Sequence, residues 1–328
     1  MKKWFLISMS AVLAFNLFAN GINEEDPSVA TWPDEDKVIT VIVPYGAGGG
    51  TDSVFRPLVE EVKNYLPCRI EVVNIGGNGS ADGTNELLTR PADGYSVLAA
   101  GAHTIVATME GKTAGYEELD HLISLNWDPF ILAVSVDQPY SSVKGLIQDA
   151  QADPGAISLG NAGGGATAVA SNSINLSLNR VFNVVPFSGG GSELKTEVLA
   201  GRCVAGVFSQ SEIAKNLDKY RPLAILADER SRLDVLADVP TLADEGFENL
   251  PAPGGSFRSV AVRSGTPAEV KSVLTEAFEQ AYRSESYQAF MAEQGLIPTF
   301  FKDAALDDYF SDLVDVFTDA YKAAGLYR

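Results

Sequence analysis

Three times in this sequence a short apolar run breaks into a cluster of glycines and then resumes with a helical pattern. The clusters read Tyr45-Gly46-Ala47-Gly48-Gly49-Gly50-Thr51-Asp52, Asn161-Ala162-Gly163-Gly164-Gly165-Ala166-Thr167 and Pro186-Phe187-Ser188-Gly189-Gly190-Gly191-Ser192. Glycine lets the main chain approach a ligand closely. The helix start that follows leaves several backbone N–H groups without partners and carries the positive end of the helix dipole. Strand, glycine loop and helix start together make a ready site for a small anion.

The rest of the chain alternates in the same way. Strands are expected at Val38–Val43, Ile70–Asn74 and Tyr95–Ala100, with helices near Thr51–Leu66 and Asp82–Thr89 between them. This β-α-β-α-β order implies a parallel sheet. A second series places strands at Ile131–Val136, Ile157–Gly160, Phe182–Pro186 and Val204–Ser209, with helices at Ser142–Ala152, Thr167–Asn179 and Ser192–Ala200. Strands near Leu223–Ala227 and Phe257–Val262 are expected to return to the first unit. A helix opening at Pro267 and an amphipathic helix over Leu306–Ala323 close the chain. The expected architecture is therefore α/β and two-lobed, each lobe a mostly parallel sheet flanked by helices. Lobe 1 is expected over 37–102 and 223–328, lobe 2 over 103–222, with a cleft between them. Ligands in such sheets sit at the carboxyl ends of strands, where the glycine loops fall.

Met1-Lys2-Lys3 and the apolar run from Trp4 to Ala19 match a secretory signal peptide, with cleavage expected after Ala19 or Gly21. The run falls short of the roughly 20 residues that a spanning helix needs. Losing Lys2 and Lys3 lowers the formal charge of −19 by two, to −21. Such acidity argues against nucleic acid and anionic membrane surfaces. It does not exclude a small anion, because surface charges are screened within about 8–10 Å in physiological salt. Cys68 and Cys203 fall in different expected lobes, so no bridge is expected. Two histidines and two scattered cysteines give no metal-ligand spacing, and neither a metal nor a cofactor is expected.

Gly46-Ala47-Gly48-Gly49-Gly50-Thr51 fails as a dinucleotide fingerprint, because Thr51 stands where Gly or Ala is needed. Asn74 also ends the second strand where an acid should hold a ribose. No lysine follows the glycines, which excludes a P-loop, and no Gly-x-Ser-x-Gly elbow appears. No catalytic set assembles. His103, directly after the third strand, reads as pocket lining, as packing, or least readily as a general base. Asp52 reads as a helix cap that can also steer a loop water or a polar ligand group. Arg56, one turn on, reads as its structural partner. Tyr45 and Phe187 either cover the ligand or pack beneath it. His121 reads as structural within a connecting segment.

Taken in order, these residues resemble the substrate-binding proteins of tripartite tricarboxylate transporters. The resemblance rests on Val43-Pro44-Tyr45-Gly46-Ala47-Gly48-Gly49-Gly50-Thr51-Asp52, Pro91-Ala92-Asp93-Gly94-Tyr95, Asp153-Pro154-Gly155 and Val185-Pro186-Phe187-Ser188-Gly189-Gly190. It continues through Ala200-Gly201-Arg202, Asp238-Val239-Pro240-Thr241-Leu242 and Ser264-Gly265-Thr266-Pro267. It implies a periplasmic, monomeric receptor that closes on a carboxylate and delivers it to a membrane permease. A sensor-kinase ectodomain as the partner, or a secreted nucleotide-binding enzyme, are the alternatives. Family members hold the carboxylate largely with backbone N–H groups and waters. On this sequence that implies contacts at Tyr45, Gly48, Gly49, Thr51, Asp52, Gly77 and Ser80 in the first lobe. Gly163, Gly164, Ala166, Thr167, Ser188, Gly189, Gly190 and Ser209 would supply the second lobe, with His103 as pocket lining. The second loop departs from the Asn-Arg-Pro-Gly-Ala-Gly-Gly of many relatives, reading Asn74-Ile75-Gly76-Gly77-Asn78-Gly79-Ser80. Ala168 or Val169 stands where many carry a histidine. No arginine lies in the loops, which counts against a different class of exported receptor that fixes carboxylates with one.

Overall fold

A computed structural model describes residues 32–250 and 254–323. The expected leader lies outside the described residues. Strand β1 (Val38–Val43) is almost wholly β-branched and buried, as the interior strand of a parallel sheet should be. Helix α1 (Gly50–Val62) buries Val54, Phe55, Leu58, Val59 and Val62, a stripe at helical spacing. It leads to β2 (Arg69–Asn74). Helix α2 (Ala81–Thr89) leads to β3 (Ser96–Gly101), and β1 pairs in parallel with both strands. Helix α3 (Ala102–Met109) follows β3 with no intervening loop.

Strand β4 (Leu119–Ser135) then runs through both halves of the sheet. Its segment Leu119–Pro129 pairs antiparallel with β9 (Gly255–Arg263), which in turn pairs antiparallel with β3. Its segment Phe130–Ser135 joins β7 (Ala205–Ser209) and β8 (Tyr220–Ile225), both antiparallel. Beyond helix α4 (Val143–Ala152), β5 (Ser158–Asn161) pairs in parallel with β7 and with β6 (Asn183–Pro186). Helices α5 (Gly165–Ser177), α6 (Gly191–Leu199) and α7 (Gln210–Ala214) connect these strands. Helix α8 (Ala268–Arg283), helix α9 (Glu285–Gln294), the short β10 (Ile297–Pro298) against β4, and helix α10 (Asp303–Ala323) complete the order.

The two ends of β4 serve two cores. Phe130, Leu132 and Val134 face one side, packed with Ile105 of α3, Val169 and Ile174 of α5, and Leu306, Phe310 and Phe317 of α10. Ile131 and Ala133 face the other, with Leu194, Phe208, Ile213 and Ile225. The period of two along the strand puts alternate side chains on opposite faces. A third core, with Ile42, Leu98 and Ala261, sits in the β1–β3–β9 half.

Three local expectations meet a different arrangement. The strand near Leu223 was expected in the first sheet, yet β8 pairs with the second segment of β4, where Tyr220 and Ile225 join the core of Ile131. His121 lies within β4, not in a connecting segment; its Nδ1 meets Ser259 Oγ at 2.9 Å and its ring packs on Phe310. Antiparallel strands β9 and β4 extend the expected parallel core of the first sheet. Cys68 and Cys203 are separate, buried, free thiols.

Candidate functional site

The glycine loops meet in two facing pairs. Ser192 Oγ at the start of α6 donates to Ala47 O across the cleft at 3.4 Å. A Cβ on Gly46 would lie 3.2 Å from Gly189 O. The loop before α2 meets the loop before α5 more closely still: a Cβ on Gly164 would stand 2.4 Å from Gly79 Cα. Only glycine fits such backbone contact, and Gly164 also holds φ +150°.

Between these loops lies a cavity of about 60 Å³, lined by Tyr45, Gly49, Thr51, His103, Gly164, Ala166, Thr167, Gly189 and Ser209 among the expected residues. Gly46, Gly50, Phe130, Ala162, Gly191, Val207, Glu212, Ser256 and Arg258 complete the lining. Gly48, Asp52, Gly77, Ser80, Gly163, Ser188 and Gly190 sit behind or beside it. A much larger open groove, about 1100 Å³, lies between α8, α10 and the first segment of β4. The starts of α8 and α10 border this groove, but none of the glycine-loop residues reaches it, so the small cavity where those loops meet is the candidate site.

The helix starts around the cavity share one property. Helices α1, α3, α5 and α6 begin at Gly49, Gly101, Gly164 and Gly190, and none of these N-caps offers a side-chain acceptor. By contrast, Ser142 accepts from Gly145 N in α4 and Ser284 from Tyr287 N in α9, while α8 starts at Pro267 without a side-chain cap and Glu212 accepts from Ser209 N at the start of α7. Uncapped N–H groups therefore gather at the cavity, where an anion can take the role of the missing cap.

Asp52 is not the cap of α1. It is the third helical residue, and its carboxylate reaches back to Gly48 N at 2.8 Å. Arg56 Nε and Asn74 Nδ2 also donate to it, at 2.8 and 2.9 Å. Asn74 Nδ2 further donates to Tyr45 O, so the network pins the first loop to β2. Burial pulls the Asp52 carboxyl upward, but Arg56, the Gly48 amide and Asn74 together hold it below its ordinary value. The Arg56 partnership is the structural one that the sequence suggests.

Gly77, Asn78, Gly79 and Ser80 all have positive φ, at 144°, 47°, 70° and 90°. For Asn78 and Ser80 this is costly backbone, held in part by Asn78 Nδ2 donating to Asp82 Oδ1 at 2.7 Å. Ser80 Oγ donates to His103 O at 3.4 Å. In the third loop, Asn161 Oδ1 accepts from Gly163 N and Thr167 Oγ1 from Ala162 N.

His103 stands at the floor with Tyr45 edge-on to its ring, the centroids 5.2 Å apart. Its Nε2 meets Ala99 O at 3.1 Å. Burial and then the positive Arg258 push its pKa down to about 3, so the imidazole is neutral at physiological pH. Tyr45 lines the cavity, with its hydroxyl pKa raised by burial. Phe187 packs below, against the core of Leu194 and Phe208.

Two charged residues from outside the glycine loops line the cavity, Arg258 and Glu212. Arg258 of β9 lines the cavity with its side chain 2% exposed, and its Nη1 donates to the fully buried Asp128 of β4 at 3.2 Å. Glu212 of α7 accepts from Ser209 N at 3.3 Å and lies 3.5 Å from Lys195 Nζ. The absence of arginine from the loops thus does not leave the cavity without one. The sequence signal is an arginine inside the mostly apolar strand run Phe257–Val262, since arginine is almost never fully buried unless paired.

Two half-sheets sharing one strand, with uncapped helix starts closed on a small cavity, define a two-lobed solute-binding protein. Residues 54–317 match the tripartite tricarboxylate transporter family receptor, and the chain belongs to that family. Its members are binding proteins, not enzymes. The chain is 26% identical over 279 residues to Protein BugT of Bordetella pertussis, covering 83% of each. The fold recurs in the periplasmic binding protein BugD, with TM-score 0.81 and 22% identity over 88% of this chain and 98% of that one. It recurs in MatC from Rhodopseudomonas palustris with bound malate, with TM-score 0.78 and 21% identity over 88% of this chain and 98% of that one. No helix among the described residues is long and apolar enough to cross a membrane.

Proposed function

We propose that this chain is exported by its N-terminal leader, captures a small carboxylate in the periplasm as a monomer, and delivers it to a tripartite tricarboxylate-type permease. The observation that carries this reading is the set of four helices around the cavity that start at glycine N-caps with no side-chain acceptor. Bound malate in MatC supports the chemical class. The lobes are taken to divide where β4 passes from β9 to β7, at Pro129 and Phe130.

The volume favours short acids. At the 10–15 Å³ that one water occupies on this measure, about 60 Å³ holds roughly four to six waters. A short acid is the better match to that space, whereas a long-chain acid requires the lobes to part. A thermal-shift series of mono-, di- and tricarboxylates tests the reading. A ligand at 100 times its Kd should stabilise the protein by about 2.7 kcal/mol. Short acids should raise Tm and C8 or longer acids should not. If no acid shifts Tm and none accompanies the purified protein, the receptor reading fails.

A further inference from the structure

Arg258 is a buried cation whose hydrogen-bonding capacity is largely unspent. A guanidinium carries five N–H donors, and buried donors without partners are rare enough to require an explanation. Here Nη1 meets Asp128, while the buried Nε has no partner. Asp128 is itself held in place, since Ser211 N donates to Oδ1 at 3.2 Å and Ser211 Oγ to Oδ2 at 2.5 Å. The pair therefore fixes the orientation of the guanidinium and leaves its Nε–Nη2 edge over. That edge is one of the two that can grip a carboxylate through a pair of parallel hydrogen bonds.

The edge borders the helix start already described. A Cβ on Gly50, the first residue of α1, would lie 2.9 Å from Arg258 Nη2. The nitrogen and the open first turn of α1 thus face one space. Asn126, the cross-strand partner of Arg258, is fully buried, and both polar atoms of its amide are also unpartnered. Arg258 Nε and the Asn126 amide, at paired positions of β9 and β4, thus both keep hydrogen-bonding capacity that the protein itself does not use. Glu212 stands near the same point, 3.6 Å from that Cβ, but Ser209 N and Lys195 already engage it.

We infer that Arg258 is a ligand-binding residue, its Nε–Nη2 edge and the first turn of α1 together taking one carboxylate of the ligand. Asp128 is the positioning residue that turns this edge toward the cavity. The inference rests on the carboxylate-receptor reading above and adds a side-chain anchor to the backbone loops. It also gives a reason for glycine at position 50, where a side chain would occupy the carboxylate's place.

The experiment uses the mature protein labelled with ¹⁵N-arginine and C3–C6 mono- and dicarboxylates as probes. The Arg258 Nε–H resonance is assigned by its absence in Arg258→Lys. Acids that raise Tm should move this resonance more than that of any other arginine. Arg258→Met combined with Asp128→Asn removes the charge pair without leaving a lone buried charge, and should weaken the same acid at least 100-fold. Arg258→Lys keeps the charge but loses the fork, and should weaken it at least tenfold with Tm near wild type. A wild type that binds the acid with the Nε–H resonance unmoved overturns the inference, whether or not the variants fold. So does a double variant that binds within threefold of wild type. If no acid binds the wild type, the receptor reading fails first and this inference falls with it.

Discussion

A neutral histidine in the lining of the candidate cavity has a measurable consequence. His103 is 4% exposed, and its pKa falls from 6.5 unfolded to about 3 folded, through burial and then the charge of Arg258. Below pH 6.5 the unfolded chain takes up a proton that the folded chain excludes. Stability is therefore complete above pH 6.5 and declines as pH falls, until the folded pKa near 3 is passed. At about 1.4 kcal/mol per pH unit, His103 accounts for about 2 kcal/mol lost between neutrality and pH 5. His121, pushed down to about 4 by burial, adds a second increment over most of the same range. Chemical denaturation of His103→Gln from pH 7.5 to 5 should show about half the wild-type loss. Equal slopes in the two proteins would mean that His103 is not held neutral. The sequence shows His103 beside the third strand but not its protonation state, because that depends on Arg258, which is far away in the chain. Arg258 itself is hard to see for the same reason: its pairing with Asp128 spans 130 residues.

At the scale of elements, the proposed division gives the glycine N-caps of α1, α3, α5 and α6 to binding and the serine caps of α4 and α9 to folding. Ser142 at α4 accepts from Gly145 N at 3.2 Å, well away from the cavity. Ser142→Ala should cost about 1 kcal/mol in stability. It should leave acid affinity unchanged, since the lost bond belongs to folding alone; a shifted Kd in calorimetry would contradict the division. The regular elements were legible because each announces itself locally. β1 carries an unbroken Val/Ile/Thr run, and α8 follows Pro267 directly. The first segment of β4 was hidden by its polar positions and by Asp128-Pro129, which reads as a turn. Those polar groups become tolerable in a strand only through distant partners, such as Thr299 O for Ser124 Oγ and Arg258 for Asp128. Helix α3 was missed because it starts at Gly101 with no loop to mark it. The glycine loops were visible as a set, but which of their residues reach the cavity follows from how the loops pair. Gly49 and Gly164 line it, while Gly48 and Gly163 turn away to Asp52 and Asn161.

For the whole molecule, the proposed binding step is a choice between lobes apart and lobes together, and a ligand would shift that choice only by contacting both. Between the facing loops, a Cβ added on Gly79 would lie 2.8 Å from Gly164 Cα, and Ser192 Oγ donates to Ala47 O. An added methyl on Gly164 would meet the Gly79 main chain at 2.4 Å, in a backbone conformation that L-residues rarely adopt. The core residues Val169 and Ile174 of the same helix are untouched by that change. Gly164→Ala should therefore keep the fold, read as native circular dichroism and a Tm within a few degrees of wild type. It should lower acid affinity at least tenfold by denying the closed arrangement. Small-angle scattering separates this from a damaged pocket. Saturating acid should shrink the radius of gyration of the wild type and leave that of Gly164→Ala at its ligand-free value, even where the acid is driven on by concentration. If the variant contracts like the wild type, the Gly79–Gly164 contact is not what closure requires, and the lobes must meet elsewhere.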